Sequence, residues 1–426
     1  MKFRAETDFA EELDRVDPLA AYRERFHIPQ HGGVDEIYLC GNSLGLQPKD
    51  TARYLQEELE DWQRLAVKAH FAGRRPWMPY HEFLTDKTGK IVGALPQEVV
   101  NMNSLTVNLH LMLVSFFRPT QDRNRILIEA GAFPSDRYAL ESQLRFHGLD
   151  PAETLVEISP RRHEETLRTD DIETVLAEEG RRIALVLLPG VQYRSGQLFD
   201  MARLTRAAHA AGCVAGFDLA HATGNVPMTL HDWNVDFAVW CNYKYMNGGP
   251  GAVAGCFVHQ RHLGKRDLPR FAGWWGHDKT MRFKMEPDFM PSPTAEAWQL
   301  SNPPILAMAP VLASLEIFDA AGMPALREKS LQLTGYLEWL LKQKLADQVE
   351  ILTPSAPEAR GCQLSLCLHA NRNQAHKVYE QLEQHGVTCD WREPDVIRVA
   401  PVPLYNTYTD VYRFVEILEK VLRTES

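Results

Sequence analysis

Between residues 98 and 258, short runs that are apolar on both faces alternate with segments whose apolar positions recur at helical spacing. The runs are EVVNMN (98–103), RILIEA (125–130), RIALVLLP (182–189), CVAGFD (213–218), DFAVWCN (236–242) and AGCFVH (254–259). DIETVLAEEG (171–180) and MARLTRAAHAAG (201–212) lie between some of them and have the spacing of helices. This alternation predicts an α/β fold with a mostly parallel, doubly wound sheet and helices on both faces. In such sheets ligands bind beyond the carboxyl ends of the strands.

After residue 305 the texture changes. A helical region from about 309 to 345 leads to the strand GCQLSLCLH, the helix NQAHKVYEQLEQHG, the strand VIRVAPV and the amphipathic helix TDVYRFVEILEKVL. This order predicts a smaller α+β domain. We expect residues 36–305 to form the large domain, and residues 1–35 with 306–426 the small one.

A chain of 426 residues exceeds the size at which single cores stop growing, which agrees with two domains. The formal charge of −10 disfavours nucleic acid, which selects basic surfaces. The segment MKFRAETDFAEELDRVD lacks the apolar core of a signal peptide, and no window reaches the roughly 18 apolar residues of a membrane helix. A cytoplasmic protein is expected. The seven cysteines lack the paired spacings of a zinc site and read as free thiols, so no metal is assigned.

The chemistry concentrates at predicted strand ends. In NYKYMNGGPGA (242–252), Lys244 follows the apolar run FAVWC, where its ammonium could equally reach solvent past the sheet edge. Asp218 ends another predicted strand 26 positions earlier, and His221 stands three residues beyond it. Asp218 also suits a helix cap. A carboxylate and a lysine at neighbouring strand ends share one crevice, and pyridoxal phosphate chemistry needs this pair. The lysine forms a Schiff base with the cofactor aldehyde, and the aspartate keeps the pyridinium nitrogen protonated.

A phosphate needs N–H groups and hydroxyls. NSLTVNLHLMLVSFF passes from strand into helix with Ser104 and Thr106 at the turn, a pattern that simple capping also produces. GAFPSDRY follows the strand RILIEA and offers Phe133 to cover a planar ring, with Asp136 as a second acid. Trp274 and Trp275 lie among glycines in FAGWWGHDKTMRF, where large aromatics serve a core edge, an interface or a ligand. Arg398 shares a strand face with Val396 and Ala400; it suits either a salt bridge or forked recognition of a carboxylate. His70 ends a helix that starts near Lys49, a position that by itself favours only the helix terminus.

The blocks GNSLGLQPK (41–49), RRPW (74–77), LTVNLHLML (105–113), FPSD (133–136), GFDLAHATGNV (216–226), WCNYKYMNGG (240–249), GWWGH (273–277), SNPPI (301–305) and IRVAPVPLYN (397–406) together resemble kynureninase. The resemblance runs from about residue 36 to the last helix and is to the longer form of animals and some bacteria. It implies a fold-type I pyridoxal 5′-phosphate enzyme that hydrolyses L-kynurenine to anthranilate and L-alanine, and a homodimer with active sites at the subunit interface. By the same resemblance Lys244 is the Schiff-base lysine, Asp218 pairs with the ring nitrogen and His221 lies alongside the cofactor. Leu105 and Thr106 hold the phosphate with help from Tyr243, and Phe133, Ser135 and Asp136 belong to the ring-binding block. Trp274 and Asn302 complete the site from the other subunit. Arg398 binds the substrate carboxylate, and His70 and Asn302 face its aromatic ring. One departure is visible: Pro189 stands where the family can carry a serine near the cofactor. The rivals are another enzyme on this fold, such as a cysteine desulfurase or an aminotransferase, and a non-catalytic dimeric scaffold.

Overall fold

The computed structural model describes residues 3–425. Its main sheet has seven strands: β1 (Val99–Asn101), β2 (Arg125–Glu129), β3 (Leu155–Ile158), β4 (Ile183–Pro189), β5 (Val214–Asp218), β6 (Phe237–Trp240) and β7 (Gly255–Val258). The spatial order is β1-β7-β6-β5-β4-β2-β3. Strands β3, β2, β4, β5 and β6 run parallel, and β7 is antiparallel to both of its neighbours.

The apolar runs are buried on both faces because alternate residues feed two different cores. Ile126, Ile128, Leu185, Leu187, Phe237 and Val239 join one core, in which they meet the helix Leu105–Phe116 through Leu109 and Phe116. Leu127, Val186, Leu188, Phe217, Ala238 and Trp240 join the core on the opposite face. This is the two-residue period of a strand with helices packed on each side. Gly216 sits opposite Phe237 in register, and a Cβ there would overlap the Phe237 ring.

Residues Leu155–Ile158 form a strand that the apolar pattern does not announce. It is the edge strand, its burial is only partial, and Glu157 faces solvent, so no continuous apolar run is needed. The helical region near 309–345 is two helices, Ile305–Ala321 and Met323–Lys344, bent by 81°. Gly322, with φ of 76°, and Pro324 in the first turn of the second helix set this break. Among the described residues, no single helix is long and apolar enough to cross a membrane. The apolar helix Ile305–Ala321 buries residues such as Met308, Leu312, Leu315 and Phe318 inside the protein.

A second sheet of four strands is ordered Val349–Ile351, Leu364–Leu368, Val396–Val399 and Asp390–Arg392, all antiparallel. Its third core brings together residues from both ends of the chain. Phe9, Ala10 and Leu13 of the helix Thr7–Val16 pack with Val411, Phe414 and Val415 of the helix Tyr408–Glu425. Asp14 joins the same two helices by accepting from the N–H groups of Tyr408 at 2.6 Å and Thr409 at 3.0 Å.

Candidate active site

Parallel strands β2, β4, β5 and β6 deliver their carboxyl ends to a single cleft. Its walls include Leu105, Thr106, Phe133, Ser135, Asp136, Asp218, His221, Tyr243 and Lys244. The sequence therefore places nine site residues that the fold brings to one spot. Pro189, Val191, Tyr193, Ala220 and Glu129 also line the cleft and were not singled out as site residues. Glu129 had a legible signal: it is the charged residue that closes an otherwise apolar strand, as Asp218 does on β5.

Lys244 lies four residues beyond the end of β6, and its Nζ is 3.0 Å from His221 Nε2. Burial and the nearby Lys244 charge hold His221 well below the ordinary imidazole range, with Arg398 and Arg392 adding to the effect. His221 is therefore neutral, and Nε2 accepts from the lysine ammonium. Its Nδ1 is buried and has no hydrogen-bond partner among the described residues. Asp218 Oδ1 accepts from Ala220 N at 2.7 Å, so its carboxylate shapes a turn, and no helix follows for it to cap.

Asp136 faces Asp218. Burial is the main cause that pushes both carboxyls above the ordinary range, and the Asp218 charge raises Asp136 further. Lys244 acts in the opposite direction on both. Asp136 Oδ1 also lacks a partner among the described residues. Two buried carboxyls with one orphaned oxygen form a site that wants a cation or a donor between them. Tyr243 is pushed up by burial and by Cys241 and Asp218, so its hydroxyl stays protonated at neutral pH.

On the opposite wall, Thr106 Oγ1 and Ser135 Oγ lie 2.8 Å apart in the first turns of the helices Leu105–Phe116 and Pro134–Phe146. Neither helix has a side-chain cap at its N-terminus. Free N–H groups of two helices and two hydroxyls converge there, an arrangement suited to a phosphate. Phe133 is 44% exposed, with its ring centroid 5.8 Å from Lys244 Nζ, which leaves an aromatic face open on the cleft.

Four other site candidates lie off this wall. Arg398 is 1% exposed and stands behind Tyr193, donating from Nη1 to the Tyr193 carbonyl at 2.8 Å. Its Nη2 is 2.8 Å from Asp390 Oδ1, the salt bridge that its strand position allowed. Trp274 and Asn302 are exposed, and His70 is half-buried with its ring edge-on to Trp77. A single copy of the chain does not bring these three to the cleft lining.

The loop after Lys244 divides its glycines by task. Gly249 and Gly251 have positive φ with open space around them, and Gly248 passes close to the Asn242 carbonyl and Val311. The close approach that matters for Lys244 comes from Gly45, whose N–H donates to Tyr243 O at 2.8 Å. A Cβ on Gly45 would overlap the Lys244 carbonyl oxygen. Gly45→Ala is therefore expected to cost about 1–3 kcal/mol of stability in denaturant unfolding, because backbone has to shift to admit the methyl group. An unchanged midpoint would show that the loop yields freely.

Pyridoxal phosphate fits these residues. Its phosphate suits the paired helix N-termini, its aldehyde suits Lys244, and a protonated ring nitrogen suits the buried Asp136–Asp218 pair with its one orphaned oxygen. Solved structures of similar fold agree in class. The C-DES protein with glycine covalently linked to its PLP cofactor matches with a TM-score of 0.77 at 16% identity, covering 93% of this chain and 98% of that one. The apo cysteine desulfurase of Thermococcus onnurineus NA1 matches with a TM-score of 0.73 at 15% identity, covering 99% of each chain. The fold is that of the fold-type I pyridoxal phosphate enzymes.

Within that class the sequence is more specific. The family model for the kynureninase C-terminal domain matches residues 326–418. The kynureninase of Koribacter versatilis (strain Ellin345) is 56% identical over 415 residues, covering 97% of each chain. That of Xanthomonas campestris pv. campestris (strain B100) is 57% identical over 407 residues, and that of Myxococcus xanthus (strain DK1622) 56% identical over 418. They cover 96% and 98% of this chain, and 96% and 97% of the relatives. The chain belongs to the kynureninase family.

Proposed function

We propose that the protein hydrolyses L-kynurenine, and 3-hydroxy-L-kynurenine, at the side-chain Cβ–Cγ bond, with pyridoxal 5′-phosphate held in the cleft. The products are anthranilate, or 3-hydroxyanthranilate, and L-alanine. The observation that carries this reading is the approach of Lys244 Nζ to neutral His221 above the Asp136–Asp218 pair. When bound, the cofactor supplies an aldehyde for the substrate amine and a protonated ring that draws electrons from the α-carbon.

The protein's own groups do the rest. Asp218 keeps the ring nitrogen protonated, with Asp136 beside it, and Phe133 covers the ring face and excludes water. Leu105, Thr106 and Ser135 anchor the phosphate from the two helix N-termini, and Tyr243 adds its hydroxyl. Lys244 takes the α-proton; neutral His221, 3.0 Å away, accepts a hydrogen bond from the amine and keeps it oriented. Water adds to the side-chain ketone, and protonated Tyr243 delivers a proton to Cβ as the bond breaks. Arg398 binds the substrate carboxylate. A second copy of the chain, in a cytoplasmic homodimer, brings Trp274 and Asn302, and Asn302 with His70 faces the substrate ring. The same reading assigns residues 36–305 to the large domain and 1–35 with 306–426 to the small one. It includes neither nucleic acid nor membrane as a partner.

A desulfurase needs a reactive cysteine at the cleft. Among the described residues no cysteine lines it, and burial raises the thiols of Cys40, Cys241, Cys256, Cys362 and Cys389. A scaffold gains nothing from two strained carboxyls facing a lysine. The test is direct. Purified protein should show the visible absorbance of bound cofactor, and L-kynurenine should yield anthranilate fluorescence and alanine in equal amounts. A colourless protein that stays inert with added cofactor would sink the proposal.

A further inference from the structure

Glu129 is 3% exposed, and its carboxyl has one hydrogen-bond donor among the described residues, Gln192 Nε2 at 3.4 Å. A contact this long satisfies a buried carboxylate poorly. Beyond Glu129 opens a second cleft, lined also by Gly131, Glu164, Glu165, Gln192 and Arg194. Glu129 is the residue common to this cleft and the active-site cleft. The charged groups that face it are Asp136, Asp218 and Lys244 on one side, and Glu164, Glu165 and Arg194 on the other, where Arg194 pairs with Glu165 at 2.7 Å. The Glu129 charge is felt at Asp136, which it raises. Burial pushes the Glu129 carboxyl itself up to about 8.

We propose that Glu129 is a positioning residue whose carboxyl passes protons from the second cleft to the Asp136–Asp218 pair, and so sets the protonation of the ring side of the site. This rests on the cofactor reading above. A proton from bulk water converts the Glu129 carboxylate to the acid; the acid then gives a proton to the Asp136 carboxylate and returns to its ionised form.

Two readouts test it. In the protein without cofactor, the Glu129 carboxyl is protonated when folded and ionised when unfolded between the ordinary glutamate value and about 8. The folded state therefore loses stability as pH rises through that interval, and the loss is complete above it. Glu129→Gln removes this dependence, so the melting temperature of the variant relative to the parent should rise by roughly 2–4 °C from about pH 5 to about pH 9. In the cofactor-loaded protein, the absorbance change after a rapid pH step should be slowed about 10-fold or more in Glu129→Gln, and restored to near the parent rate in Glu129→Asp. A temperature difference that is flat with pH, or an absorbance response equally fast in Glu129→Gln, overturns the proposal. So does equal slowing in both variants, which marks a packing role. A parent protein that takes up no cofactor removes the functional reading instead, and the cofactor-free comparison then decides whether Glu129 holds the proton.

Discussion

Lys244→Ala should lower kcat for kynurenine by about 10³-fold or more, measured by anthranilate fluorescence under saturating substrate. The amine has two tasks, anchoring the cofactor and moving the α-proton, and alanine can do neither. No other amine is among the residues lining the cleft, so nothing on its described walls can form an imine in its place. The fold should survive, since the side chain makes one hydrogen bond, to His221, and lies at the cleft rather than in a core. Cofactor should still bind through the helix N-termini that hold Thr106 and Ser135, but gel filtration should strip it faster than from the parent. Near-normal turnover in this variant would remove the central claim.

The second large effect is expected for Arg398→Ala. If the guanidinium receives the substrate carboxylate, losing its charged fork should raise KM about 100-fold with kcat and the cofactor absorbance far less changed. A structural cost accompanies it, because Arg398 and Asp390 are both largely buried. Asp390 would keep Arg392 at 3.1 Å and the hydroxyl of Ser43, so the loss in denaturant unfolding should be about 3 kcal/mol rather than a failure to fold. Arg398→Lys separates the two consequences: it keeps a charge for Asp390 but not the bidentate geometry, so stability should recover more than KM does. Loss of cofactor from these variants, with KM unchanged, would show that Arg398 serves another end of the site.

The pairing of Lys244 with Asp218 was legible because both follow apolar runs that the fold makes adjacent parallel strands, β5 and β6. Thr106 was legible as turn chemistry at a helix start and Phe133 as a loop aromatic after a strand, whereas Ser135 came only with the family block FPSD. Glu129 was not read as a site residue, although the same reasoning applies to it, because a single acid at a strand end also marks the point where a chain leaves the core. The edge strand Leu155–Ile158 and the strand Asp390–Arg392 escaped for a different reason: each is partly exposed and too short and too polar to show a continuous apolar run. Asn302 came from the family blocks alone, whereas Trp274 also stood out as a large aromatic among loop glycines. Trp274 and Asn302 are exposed and lie off the cleft lining, and their contribution from a second copy belongs to the proposed reading.

The union of the helices Thr7–Val16 and Tyr408–Glu425 has a consequence for how the chain is made. Segments emerge from the ribosome in order and fold as units become complete. The seven strands of the main sheet, the last ending at Val258, are all available well before the final helix exists. Phe9, Ala10 and Leu13 are synthesised before any strand of either sheet, yet their partners Val411, Phe414 and Val415 follow all of those strands. Closing so long a loop adds little free-energy cost, since that cost grows only with the logarithm of length. It costs time: the helix Thr7–Val16 waits for its partner until Tyr408–Glu425 has been made, and a nascent chain must keep that apolar face covered until then.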